Sequence, residues 1–129
     1  MKKSMLLSLA AAAALLLPAA ALADGHSEIV IAATHAGLAA QGSDVATVHM
    51  HLHHTLNCLV GPNGAGFDAK EMDPCAHAGS GAIPDATKTA TKTALQAAAT
   101  EASAGIAETD LAKAKAAAAQ TADMLKKAE

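Results

Sequence analysis

The chain has 129 residues and a formal net charge of −3, with no Trp, no Tyr, no Arg and one Phe, Phe67. Nucleic-acid binding draws on arginine and stacking aromatics, and cofactor pockets on aromatic linings, so this composition argues against both. The nominal 52% hydrophobic content is mostly alanine: residues 24–129 hold 28 Ala but only 16 Leu, Ile, Val and Phe, below the roughly 20% at which an ordinary apolar core becomes doubtful.

Lys2 and Lys3 precede an apolar run from Met5 to Leu17, then Pro18 and the small-residue stretch Ala21-Leu22-Ala23. A charged start, a short apolar segment and an A-x-A ending read as a secretory signal cleaved after residue 23. The run is shorter than the roughly 20 residues of a membrane span, and no second one follows. The expected product is therefore a soluble periplasmic protein with no membrane attachment. Losing Lys2 and Lys3 takes the formal charge from −3 to −5. A mildly acidic surface without basic clusters gives no reason to expect nucleic acid or anionic lipid as a partner.

Beyond the signal, one helical domain is expected over 24–129, divided into a His-rich helical pair (24–60), a Gly/Pro loop (61–84) and Ala-rich helices (85–129). Ser27 to Ala40 reads as a helix broken at Gln41-Gly42. The β-rich run Glu28 to Ile31 has no partner strand in view. Ser43 is placed as the N-cap of a second helix reaching Val60, with Asp44 at its positive start. Val45, Val48, Leu52, Leu56 and Leu59 give that helix one apolar stripe.

Five of the nine glycines and three of the four prolines fall in 61–84. So long a loop in so small a domain is functional, disordered or tied down. Asp85 is placed as the cap of a helix with Ala90, Ala94, Ala98 and Ala102 on one face and Leu95 at its border. Gly105 then interrupts, and a last helix from about Thr109 carries Leu111, Ala114, Ala118, Ala122 and Leu125. The fold class is all-α: a small antiparallel bundle of three to four short helices with one long disulfide-tethered loop and a weak Ala-rich half.

Cys58 and Cys75, two cysteines in an exported chain, pair most simply as a disulfide. The bond would tie the long loop to the helix end and contribute roughly 3 kcal/mol on the chain-entropy model. A thiolate site with His77 lacks the paired C-x₂₋₄-C spacing of zinc motifs.

All seven histidines lie beyond the signal, and four crowd into His49-Met50-His51-Leu52-His53-His54. His49 and His53 form an i, i+4 pair that can point two imidazoles at one ion. His51 and His54 form an i, i+3 pair on the other side of the stripe, with Met50 one turn before His54. The expected metal site has His49 and His53 at its nucleus and His54 or Met50 in a peripheral role. His35, His77, Glu28 or a second subunit of a homo-oligomer would complete it. No Glu lies between the paired histidines, so a metalloprotease is not indicated.

Cleavage after Ala23 would expose Asp24-Gly25-His26, which resembles the amino-terminal copper- and nickel-binding tripeptide. That resemblance implies a planar four-nitrogen Cu(II) or Ni(II) site at these three residues. No G-x-S-x-G, Walker loop, C-x-x-C-H or EF-hand spacing is present, so no enzyme is indicated. The functional expectation is an exported, non-enzymatic transition-metal binder, copper first, then zinc or nickel. Met50, Met72 and Met124 would favour Cu(I) if they converge. Two rivals stand beside it: a haem-binding bundle using these histidines, and a structural or interaction protein whose histidines are surface residues.

Overall fold

The computed structural model describes residues 25–129. The expected signal segment and Asp24 lie outside the described residues. The helices are α1 (His26–Ala40), α2 (Val45–Val60), the single turn α3 (Ala82–Asp85), α4 (Thr89–Ala107) and α5 (Leu111–Ala128), with no strand among the described residues. The expected all-α bundle is present, and Glu28 to Ile31 is helical, inside α1.

α1 and α4 each pack against both α2 and α5, so the four long helices occupy the corners of a square. Short turns join α1 to α2 and α4 to α5. Gly25 before α1 lies against Ala82 and Ala86, and Gly61 after α2 lies against Ser80 and Gly81. His49, near the other end of α2, reaches the carbonyl of Glu108 just beyond α4. The chain therefore alternates up and down, with α3 closing the end where α1 begins.

Asp44, not the expected Ser43, is the N-cap of α2. Its Oδ1 accepts from the Thr47 N–H at 2.8 Å, and the Ser43 hydroxyl donates to its other oxygen at 3.3 Å. A carboxylate both satisfies the free N–H and offsets the positive helix end. Asp85 is likewise not the cap of a long helix. It ends α3 and accepts the Ser80 N–H at 2.7 Å, while α4 starts four residues later after Lys88 with no side-chain cap.

Gly105 does not interrupt α4, which continues to Ala107. The buried face of that helix is Leu95, Ala98, Ala99, Ala102 and Gly105, whereas Ala90 and Ala94 are exposed. The expected alanine face is thus rotated toward Leu95, whose larger apolar area belongs at the centre. α5 buries Ala114, Ala118, Thr121, Ala122 and Leu125, close to the face read from the sequence.

Leu52, Leu59, Leu95 and Leu125 are the largest fully buried apolar side chains, and alanines fill most of the space between them. Such a core brings helices close but buries little area per residue. A covalent tie and a buried polar anchor supplement it. Cys58 and Cys75 form the expected disulfide, with Cα atoms 5.1 Å apart. One residue before Cys58, fully buried Asn57 holds the loop: its Nδ2 donates to the carbonyls of Asp68 (3.0 Å) and Met72 (3.1 Å), and its Oδ1 accepts the Asp68 N–H at 2.9 Å. The 61–84 segment is therefore a string of turns strapped to α2, with α3 at its end.

Candidate metal centre

The α1–α2 pair forms a tight antiparallel hairpin about residues 41–44. In such a hairpin, residues equidistant from the turn face each other across the interface. Buried Thr55 marks the register, donating to Ala32 O in the opposite helix (3.2 Å) and to His51 O in its own (3.0 Å). That register brings His35 of α1 opposite His51 of α2, and the i, i+3 spacing places His54 beside them.

Three imidazoles converge here. His35, His51 and His54 each offer a ring nitrogen, all within 4.8 Å of one another. The Nδ1 atoms of His35 and His51 are 3.4 Å apart. His54 stands edge-on to both rings, with centroids 5.2 Å from His35 and 5.6 Å from His51. For comparison, metal–nitrogen bonds of about 2.0–2.1 Å at a tetrahedral angle separate nitrogens by roughly 3.3–3.4 Å.

The electrostatics keep two of the rings, His35 and His54, in their ligand form. Burial, then the neighbouring His54 and His51, pushes His35 below the ordinary imidazole range. Burial and His51 likewise lower His54, against a partial upward pull from the carboxylate of Glu71. Neutral imidazole carries the lone pair that binds a metal, so both rings are competent at neutral pH.

His54 is only 5% exposed, and its Nδ1 is buried with no hydrogen-bond partner. Its Nε2 faces Glu71 Oε2 at 3.7 Å. Buried polar atoms in folded proteins are almost always paired. The two orphaned here are the Nδ1 atoms of His53 and His54, and that of His54 belongs to a ring of the three-imidazole group, where a cation would satisfy it.

The expected nucleus, His49 and His53, lies outside the three-imidazole group. His49 Nε2 lies 2.8 Å from Glu108 O at the end of α4, and His53 Nδ1 faces Asp68 Oδ2 of the strap at 3.8 Å. On a helix that packs against neighbours on several sides, the two flanks of the histidine cluster meet different elements. His54 and His35 belong to the cluster, whereas His26 and His77 are exposed outside it. Gly25 is buried at the start of α1 with φ of 81°. Met50 and Met72 are exposed, whereas Met124 packs against the core.

His51, read from the sequence only as the partner of His54, is a full member of the cluster. Its signal was its position: His35 and His51 lie equally far from Ser43, so a hairpin turning there pairs them. The second group with metal-ligand residue types, Cys58, Asp73 and Cys75, has both sulfurs in the disulfide and offers no thiolate. Its Asp73 carboxylate accepts the Cys75 N–H at 3.0 Å.

No helix among the described residues is long and apolar enough to cross a membrane. No known family model matches this chain, and no curated protein or solved structure is significantly similar to it. The functional reading therefore rests on the chemistry of the site itself.

Proposed function

We propose that this chain is an exported, non-catalytic protein that binds one transition-metal ion through His35, His51 and His54, with copper as its cargo, for buffering, delivery or resistance. The convergence of three imidazoles, one with an orphaned buried nitrogen, carries this reading. Imidazole suits copper, zinc and nickel, and divalent copper binds a given nitrogen site most tightly of these. Three protein ligands leave a fourth position open, through which an ion can be taken up or passed on by ligand exchange. The signal-like residues 1–23 and the Cys58–Cys75 disulfide support an oxidising compartment outside the cytoplasm.

Zinc is the second reading, favoured by one observation. The 3.4 Å separation of His35 and His51 nitrogens fits the edge of a tetrahedron, the geometry zinc adopts, better than the shorter edge of a Cu(II) plane.

Competition titrations with Cu(II) and Zn(II) test the proposal, using His26→Ala protein so that the terminal tripeptide does not contribute. One tight site is expected, lost in a His35→Ala/His51→Ala/His54→Ala variant and kept in His49→Ala/His53→Ala. The reverse pattern, or no tight site for either ion, would overturn it.

A further inference from the structure

Glu71 stands outside the three-imidazole cluster, yet its carboxylate is the partner of the most buried ring in it. Building on the site proposed above, we infer that Glu71 is a positioning residue that holds His54 as the Nε2–H tautomer and so aims the Nδ1 lone pair at the bound ion.

The two neutral tautomers of His54 face opposite prospects here. With the proton on Nε2, the N–H lies in the field of the Glu71 carboxylate 3.7 Å away, and the bare Nδ1 is the orphaned atom. With the proton on Nδ1, a buried donor has no acceptor, and the Nε2 lone pair faces a negative oxygen 3.7 Å away. Both features of the second form are unfavourable, because a buried donor without an acceptor bears its full desolvation cost. Ligating histidines commonly present their other N–H to a carboxylate, which fixes the ring and raises its basicity.

The strap delivers this carboxylate. The Asn57 side-chain amide, one turn after His54 on the same helix, donates to the Glu71 carbonyl at 3.4 Å as well as to those of Asp68 and Met72. The disulfide ties the strap to α2 at the next position, Cys58. Loop 61–81, which bears no cluster histidine, thereby sets the outer face of the site.

Long-range ¹H–¹⁵N NMR of the metal-free protein, at about pH 8 where imidazoles are neutral, reads the His54 tautomer directly. Zn(II) titrations of the same samples read affinity. Wild-type His54 is expected as Nε2–H. Glu71→Ala should mix the tautomers and weaken Zn(II) binding about tenfold to a hundredfold without changing the one-to-one stoichiometry. Glu71→Gln, which keeps the negative end of an amide dipole beside Nε2, should retain the tautomer and lose less affinity. An Nδ1–H tautomer in the wild type, or a Glu71→Ala protein with unchanged tautomer and affinity, would overturn the inference. Failure of the metal reading shows separately, as absence of Zn(II) binding in the wild type, while the NMR still decides the role of Glu71.

Discussion

Leu52 of α2 and Gly105 of α4 fit together as a knob and a hole. A Cβ placed on Gly105 would stand 2.6 Å from Leu52 Cδ1 and 3.1 Å from the Cβ of Ala117. A methyl group at the glycine would need the terminal methyl of buried Leu52 to move and Ala117 to give way. Alanine would raise helix propensity by about 1 kcal/mol, but overpacking a tight core costs typically about 1–3 kcal/mol. Gly105→Ala is therefore expected to lower stability in urea denaturation, and adding Leu52→Val should recover part of the loss. A stabilised Gly105→Ala protein would show that the helices separate freely at this point.

The Cys58–Cys75 bond closes a segment of sequence separation 17. The chain-entropy model assigns such a closure roughly 3 kcal/mol, a large share for a core built from alanine. A Cys58→Ala/Cys75→Ala protein should lose about 2–4 kcal/mol in denaturant midpoint analysis. Thiol titration of the denatured, unreduced protein should find no free thiol.

Glu28 gives a pH dependence of its own. It is buried at the start of α1, accepts the Gly81 N–H at 3.1 Å, and shares its surroundings with the Asp85 carboxylate over Gly79. Burial, followed by Asp85, raises its carboxyl above the usual range, although the Gly81 N–H partly opposes this. A carboxyl raised on folding favours the native state while protonated, and that contribution is lost as pH rises through the folded value. Glu28→Gln keeps the acceptor for Gly81 and supplies a donor for Asp85. It should add about 1 kcal/mol at neutral pH and flatten the fall in melting temperature above the acidic range. A less stable Glu28→Gln protein at pH 7 would contradict this account.

The cluster histidines act with the opposite sign at higher pH. His35 and His54 are lowered on folding, mainly by burial. The unfolded chain therefore takes up protons first as pH falls below the ordinary imidazole value near 6.5. Metal-free protein should lose stability through that window, down to the lowered folded values. His35→Ala should weaken the dependence as measured by melting temperature against pH.

The sequence made much of the fold legible, and less of the site. The stripe from Val48 to Leu59 and the face from Ala114 to Leu125 are buried as read, with Val45 half-buried at the helix start. Leu and Val at helical spacing give α2 one apolar orientation, and Leu125 marks that of α5. On α4 the pattern was ambiguous, since alanines occur on several faces and only Leu95 distinguishes them. At the metal centre, intrahelical spacing favoured His49 and His53 at one margin of the stripe. The cluster instead depends on the α1–α2 register, a relation between helices that spacing within one helix does not carry. Asn57 and Glu71 gave no local signal either, because their roles arise only once the strap folds back on α2.

The central claim is that one ion sits among His35, His51 and His54. Titrating Zn(II) into His26→Ala protein while following the imidazole ¹⁵N resonances of every remaining histidine tests it most directly. At one equivalent, the account predicts ligation shifts at one ring nitrogen each of His35, His51 and His54, with His49, His53 and His77 retaining their metal-free signatures. Ligation shifts centred on His49 and His53, or none at the cluster, would contradict it.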